Sequence, residues 1–172
     1  MLEQRSTYLM VTPSLWPLLL RVLRDPGFAC PGLAHVRVGA FGGSPVPLST
    51  VAGLRRAMPQ LRLYDAYGLS ETHSPATILL DAEFERKPGS IGRPVPCCDV
   101  RIVDPDGSAL PTGEAGELLV RGPNITSGYV GDPAATATAE PHVQGAKTTV
   151  RTRRSESVTD THRSSWSRHA GQ

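Results

Sequence analysis

The sequence holds 172 residues, 39% of them hydrophobic and 20% charged, which is globular in composition and enough for one ordinary domain. No signal peptide or membrane span is readable: the apolar run from Leu15 is broken by Pro17 and Arg21, well short of the ~20 residues a spanning helix needs. The net charge of +2 is unevenly spread, with 12 Lys+Arg against 14 Asp+Glu in residues 1–140 and 6 against 2 in residues 141–172, which marks a boundary near Glu140.

In chain order, Thr7–Val11 reads as a short strand. Ser14 stands where it can cap the next helix, with Pro17 tolerated in the first turn. Leu15, Leu18, Leu19, Val22 and Leu23 fall on one apolar face, and Asp25-Pro26-Gly27 stops the helix. Val36–Phe41 has the pattern of a buried strand that breaks at Gly42-Gly43. A second helix is expected over about 48–58, with Val51, Leu54 and Met58 inward and Pro59 ending it. A third strand, Leu61–Asp65, then runs into Tyr64-Asp65-Ala66-Tyr67-Gly68-Leu69-Ser70-Glu71-Thr72. This strand–helix–strand order predicts an α/β fold, a partial parallel sheet with helices packed on it, over residues 1–87.

Beyond residue 88 the Gly and Pro spacing shortens. Asp99–Val103 alternates, Pro105-Asp106-Gly107 is a turn and Glu117–Arg121 is another strand, so 88–140 is expected to be a smaller β-rich subdomain. Residues 141–172 hold ten Ser/Thr and five Arg, with Val143, Val150, Val158 and Trp166 as their large apolar residues and no sustained period. Such a stretch buries too little surface to offset ordering entropy and reads as a disordered, solvated basic tail, with no nucleic acid as partner. Cys30, Cys97 and Cys98 have neither zinc-ligand spacing nor an even number, so a reducing, cytoplasmic setting is expected. The Cys97-Cys98 pair reads as two small residues at a strand start rather than as a vicinal disulfide.

The candidate chemistry lies at two strand ends. A Gly42-Gly43 step after a buried strand lets backbone approach a ligand closely and adopt positive φ. The next strand carries Asp65, suited to accept from an exocyclic amine, Tyr67, suited to stack on a flat base, Ser70, a hydroxyl for a phosphate, and Glu71, a hard oxygen ligand suited to Mg²⁺. Open α/β sheets bind ligands at the carboxyl ends of their strands.

These stretches resemble the adenylate-forming superfamily of acyl-CoA synthetases, luciferases and peptide-synthetase adenylation domains. Phe41-Gly42-Gly43-Ser44-Pro45 is similar to its glycine-rich adenine loop and Tyr67-Gly68-Leu69-Ser70-Glu71 to the partner motif, with Ser70 where Thr is commoner. Further matches follow in order: Lys87-Pro88-Gly89-Ser90-Ile91-Gly92-Arg93-Pro94, Gly116-Glu117-Leu118-Leu119-Val120-Arg121-Gly122-Pro123, and Gly128-Tyr129. The Leu-Ser-Glu-Thr-His wording is closer to acyl-CoA synthetases than to amino-acid-activating domains.

The resemblance implies ATP or AMP, Mg²⁺ and coenzyme A as ligands and a small carboxylic acid as substrate. It implies that Gly42, Gly43, Ser44, Asp65, Ala66, Tyr67 and Gly68 hold adenine, that Ser70 and Glu71 organise the α-phosphate, with Glu71 on the metal, and that His73 and Ser74 line the acyl pocket. For His73 a hydrogen-bonded loop histidine is an equal reading. The family's Pro-Lys-Gly phosphate loop, its ribose-gripping Thr-Gly-Asp and its catalytic-lysine domain have no counterpart here, and neither Lys87 nor Lys147 takes the catalytic role. The expectation is therefore an interior piece of an AMP-forming acyl-CoA synthetase, inactive alone, followed by a tail of out-of-frame character. The alternatives are a domain that loads an amino or aryl acid onto a carrier protein, and a non-catalytic nucleotide-binding remnant.

Overall fold

The structure, a computed structural model, describes residues 5–25, 27, 31–73, 75–139 and 149–152. Its strands are β1 (Tyr8–Met10), β2 (Val38–Gly42), β3 (Arg62–Tyr67), β4 (Thr77–Leu80), β5 (Arg93–Pro94), β6 (Asp99–Val103), β7 (Glu117–Arg121) and β8 (Thr149–Thr152). Its helices are α1 (Leu15–Leu23), α2 (Leu48–Ala57) and α3 (Pro133–Ala139). The fold is mixed α/β: a five-stranded sheet in the order β1-β2-β3-β4-β5 and a three-stranded sheet in the order β6-β7-β8. Two compact units share the chain, one comprising residues up to Ala66 with Leu79–Gly89, the other Tyr67–Ile78 with Ser90 onward. The segment 67–78 thus falls in the second unit, whereas the sequence pattern groups it with residues 1–87.

The first unit is the parallel part. β1 pairs parallel with β2 and β2 parallel with β3, the register setting Gly42 opposite Ala66 and Phe41 opposite Asp65. Its core centres on Trp16, Phe41 and Phe84, with ring centroids 5.3 Å apart for Trp16–Phe41 and 5.9 Å for Phe41–Phe84. Around them lie Val51, Leu54, Met58, Leu61 and Leu63, all buried, as expected for the inner face of α2 and the strand after it.

Helix α1 departs in part from the expected face: Leu19 and Leu23 pack half-buried against the core as expected. Trp16 and Leu20 are its buried residues, while Leu15, Leu18 and Val22 are exposed. The indole is the largest side chain on the helix and sits over Gly39, where an added Cβ would lie 3.0 Å from its ring. Burying this ring turns Leu15, Leu18 and Val22 outward while Leu19 and Leu23 keep contact with the core. Ser14 is at the cap position but makes no side-chain cap bond; its hydroxyl pairs with Thr12 Oγ1 at 3.1 Å.

Asp81 ties this unit together. Its Oδ1 accepts from the Leu63 amide at 3.1 Å and from Arg55 Nη2 at 3.3 Å, and Arg55 also donates to the Asp81 carbonyl and to Glu85.

The second unit is antiparallel. β4 pairs with β5, β6 with β7 and β7 with β8. Its core is Ala76, Ile91, Cys98, Val100, Leu118, Val120 and Ile125. β6 and β7 have the bounds the alternation predicts. The Pro105-Asp106-Gly107 turn closes with Gly107 at φ 86° and with Asp104 accepting from the amides of Gly107 and Ser108. β8 falls in the stretch whose composition predicts no order; two of its residues, Thr149 and Val150, are β-branched types common in strands. Residues 141–148 and 153–172, the rest of that stretch, lie outside the described residues, as do Glu140 and Cys30.

Cys97 and Cys98 are free thiols directly before β6, with sulfurs 3.9 Å apart, at a strand start as the sequence suggests. Among the described residues no helix is long and apolar enough to cross a membrane.

Candidate functional site

In the first unit, the ladder brings two of the sequence-predicted groups side by side. Because β2 and β3 run parallel with Gly42 opposite Ala66, the turn Gly42-Gly43-Ser44 and the pair Asp65-Ala66 share one carboxyl end of the sheet. Gly43 and Ser44 are exposed, Gly42 and Asp65 half-buried and Ala66 buried. Gly43 has φ 88°, a conformation that strains any residue with a Cβ. At Gly42 the requirement is space: an added Cβ would come within 3.2 Å of Met10 Cε and 3.4 Å of the Ala66 carbonyl oxygen.

In the second unit, the chain leaves β3 at Tyr67 and turns through Gly68 and Leu69 into a single 3-10 turn, Ser70–Thr72. Tyr67 packs against the second core and its carbonyl accepts from the Ala76 amide at 2.8 Å. Ser70 and Gly68 are exposed and Glu71 is half-buried.

A three-residue turn cannot hold its own shape, since helix nucleation costs more than one turn returns. Thr72 does part of the holding. It is fully buried, and its Oγ1 accepts from the Leu69 amide and donates to the Leu69 carbonyl, both at 2.9 Å. Sequence reasoning passed over Thr72; the signal was a hydroxyl three residues after the turn entry, a common local hydrogen-bonding spacing.

The segment after β7 supplies the other ties. Asn124 Nδ2 donates to the Thr72 carbonyl at 2.8 Å, and the Thr126 amide donates to the Glu71 carbonyl at 2.7 Å. The Tyr129 hydroxyl donates to Glu71 Oε1, and this bond is the first cause that raises the phenol above its ordinary pKa. Cys98 Sγ donates to Asn124 Oδ1 at 3.1 Å; burial first, then its neighbour Cys97, pushes the Cys98 thiol up to about 11. Asn124 and Thr126 carried no signal in the sequence, and Tyr129 was visible as a motif residue without a role.

His73 follows in the left-handed region at φ 52°, which costs a non-glycine residue about 1–2 kcal/mol. Its Nδ1 lies 3.2 Å from the Asn124 carbonyl oxygen, so it is a hydrogen-bonded loop histidine in this structure. Ser74 lies outside the described residues.

Among the described residues no three His, Cys, Asp or Glu side chains converge on one point. A cation at Glu71 would therefore take most of its ligands from phosphate and water. That suits Mg²⁺, which keeps water and binds through one or two carboxylates plus phosphate oxygens. Glu71 fits the role: Oε1 is engaged by Tyr129, and among the described residues Oε2 has no hydrogen-bond partner.

Parallel strands that end together at a glycine turn make the first unit an α/β one, and in the second unit a 3-10 turn carries a hydroxyl and a carboxylate. The chain belongs to the AMP-binding enzyme family, whose model matches residues 1–130. It is 33% identical over 120 residues to the D-alanine--D-alanyl carrier protein ligase of Bacillus velezensis, covering 68% of this chain and 24% of that one. It is 34% identical over 136 residues to the feruloyl-CoA synthase of an Amycolatopsis species, covering 78% of this chain and 26% of that one. Among solved structures it is similar to the o-succinylbenzoate coenzyme A synthetase of Bacillus subtilis in complex with ATP and magnesium ion, with TM-score 0.69 and 25% identity over 86% of this chain and 28% of that one. The chain spans about a quarter of the length of the curated relatives it matches.

Proposed function

We propose that this chain carries the adenine- and metal-handling part of an AMP-forming acid–thiol ligase. The observation that supports the reading most is the parallel register of the first unit, which sets Gly42, at the head of the glycine turn, opposite Ala66. In the first unit the exposed amides of Gly43 and Ser44, together with the Asp65 carboxylate, would meet the adenine base. In the second, Tyr67 would offer its ring to the base, Ser70 its hydroxyl to the α-phosphate, and Glu71 its Oε2 to Mg²⁺. The cation would supply charge neutralisation at the phosphates. His73 and Ser74 are assigned to the acyl side.

The reaction of such a ligase has two steps. A carboxylate oxygen attacks the α-phosphorus of ATP and expels pyrophosphate, giving an acyl-adenylate; a thiol then attacks the acyl carbon and expels AMP. The first step depends on positioning and on stabilising charge at phosphorus. The residues of this chain contribute base binding and phosphate alignment. Neither Lys87 nor Lys147 is assigned a catalytic role, so the 172 residues are expected to bind nucleotide without turning it over, in a cytoplasmic setting.

A second reading, loading of an acid onto a carrier protein instead of coenzyme A, is favoured by the carrier-protein ligase, which is as similar as the coenzyme A synthase. It shares the nucleotide chemistry and differs in the acceptor thiol.

Isothermal titration of the 172-residue protein with AMP and with Mg·ATP tests the proposal. Saturable binding that is lost in a Tyr67→Ala, Glu71→Ala double variant is the expected result. A folded protein that binds neither nucleotide contradicts it.

A further inference from the structure

We propose that Tyr129 is a positioning residue for the carboxylate of Glu71, fixing it through Oε1 so that Oε2 is presented to the cation. The inference rests on the reading of Glu71 as the metal-binding residue and adds a residue to that site.

Four observations, all within the second unit, carry it. First, Glu71 sits in a turn too short to orient its own side chain, and its backbone is already held by the Thr126 amide. Second, the Tyr129 hydroxyl donates to one carboxylate oxygen and leaves the other without a partner among the described residues.

Third, Tyr129 is itself held in place. Its amide donates to Thr136 Oγ1 at 2.9 Å, and Thr136 Oγ1 in turn donates to the Asp132 carbonyl at 2.9 Å. Fourth, the approach of Tyr129 to α3 requires glycine before it. Gly128 has φ 131°, and a Cβ there would lie 2.6 Å from Thr136 Cγ2. Gly128 and Thr136 therefore serve the placement of a phenol that is otherwise exposed and adds nothing to the core. An exposed tyrosine with this much local fixation and one functional contact is better explained by that contact than by packing.

A partner that hydrogen-bonds a metal-binding carboxylate fixes its orientation, and removing such partners costs metal affinity. Tyr129→Phe deletes the donor and keeps the ring.

The test compares ATP binding by the 172-residue protein in EDTA and in saturating Mg²⁺; the ratio of the two dissociation constants is the metal-dependent gain. Tyr129→Phe is expected to cut that gain roughly tenfold, at the lower end for partners of this kind, while leaving ATP affinity in EDTA unchanged. Glu71→Gln is expected to abolish the gain, and the double variant to match Glu71→Gln. A full gain in Tyr129→Phe with loss in Glu71→Gln overturns the role of Tyr129 and leaves the metal reading standing. A full gain in Glu71→Gln, or no nucleotide binding by the parent protein, overturns both.

Discussion

The two units hold their candidate residues by different physics. In the first, Gly42 and Asp65-Ala66 are placed by a parallel ladder backed by an aromatic core, so the strand ends are fixed by many small terms at once. In the second, Ser70 and Glu71 sit in one 3-10 turn that is held by a few named hydrogen bonds from Thr72, Asn124, Thr126 and Tyr129. Damage to the first should appear as lost stability. Damage to the second should appear as lost local order and altered ligand response at modest cost in stability.

The largest effect is expected at Trp16. Trp16→Ala removes a fully buried indole that packs on Phe41 and should cost about 3–5 kcal/mol by chemical denaturation. A cost under about 1 kcal/mol, at the level of an ordinary surface change, would mean that the aromatic cluster does not organise the first unit.

Asp81→Ala comes next, at about 1.5–3 kcal/mol, because it strips a charged acceptor from the Leu63 amide and from Arg55. The same melts in high salt separate its two roles. The hydrogen bond to the amide survives screening, while the contribution of the ion pair to Arg55 shrinks.

Thr72→Val keeps the shape and deletes both hydrogen bonds to Leu69, for about 1–2 kcal/mol. Its sharper signature is amide hydrogen exchange: Leu69 should lose protection while the amides of β3 keep theirs. Uniform loss in both would erase the contrast between the units.

The smallest effect is set by pH. Cys98 is raised from 9.0 to about 11 by burial and by its neighbour Cys97, so the folded protein favours the neutral thiol. The stability this contributes is complete below about pH 9 and is lost as pH rises towards about 11. Cys98→Ala should flatten the pH dependence of stability across that window. Alkylation by iodoacetamide at neutral pH should strike exposed Cys97 well ahead of Cys98.

Legibility in the sequence followed the same divide. The α/β class, the parallel order and the strands β6 and β7 follow from period and turn residues, because local pattern sets them. Half of the face of α1 follows from periodicity, since Leu19 and Leu23 pack inward, but periodicity weighs Leu15, Leu18 and Val22 equally with them, while packing gives priority to one large ring over Gly39. Among the candidate residues, Gly43 stands out as the second glycine after a buried strand, and Tyr67, Ser70 and Glu71 as a run of residue types. Asn124 and Thr126 do not, since they act on a turn more than fifty residues away in sequence through one amide side chain and one backbone N–H. Long-range hydrogen bonds of this kind leave no periodic trace.

The most direct test of the central claim is nitrogen-15 NMR of the 172-residue protein titrated with AMP, read residue by residue. The account predicts saturable shifts concentrated at Gly42, Gly43 and Ser44 in one stretch and at Asp65 through Glu71 in the other, with β6 and β7 unmoved. Saturable shifts confined to other parts of the molecule, or none at all in a folded protein, would contradict it.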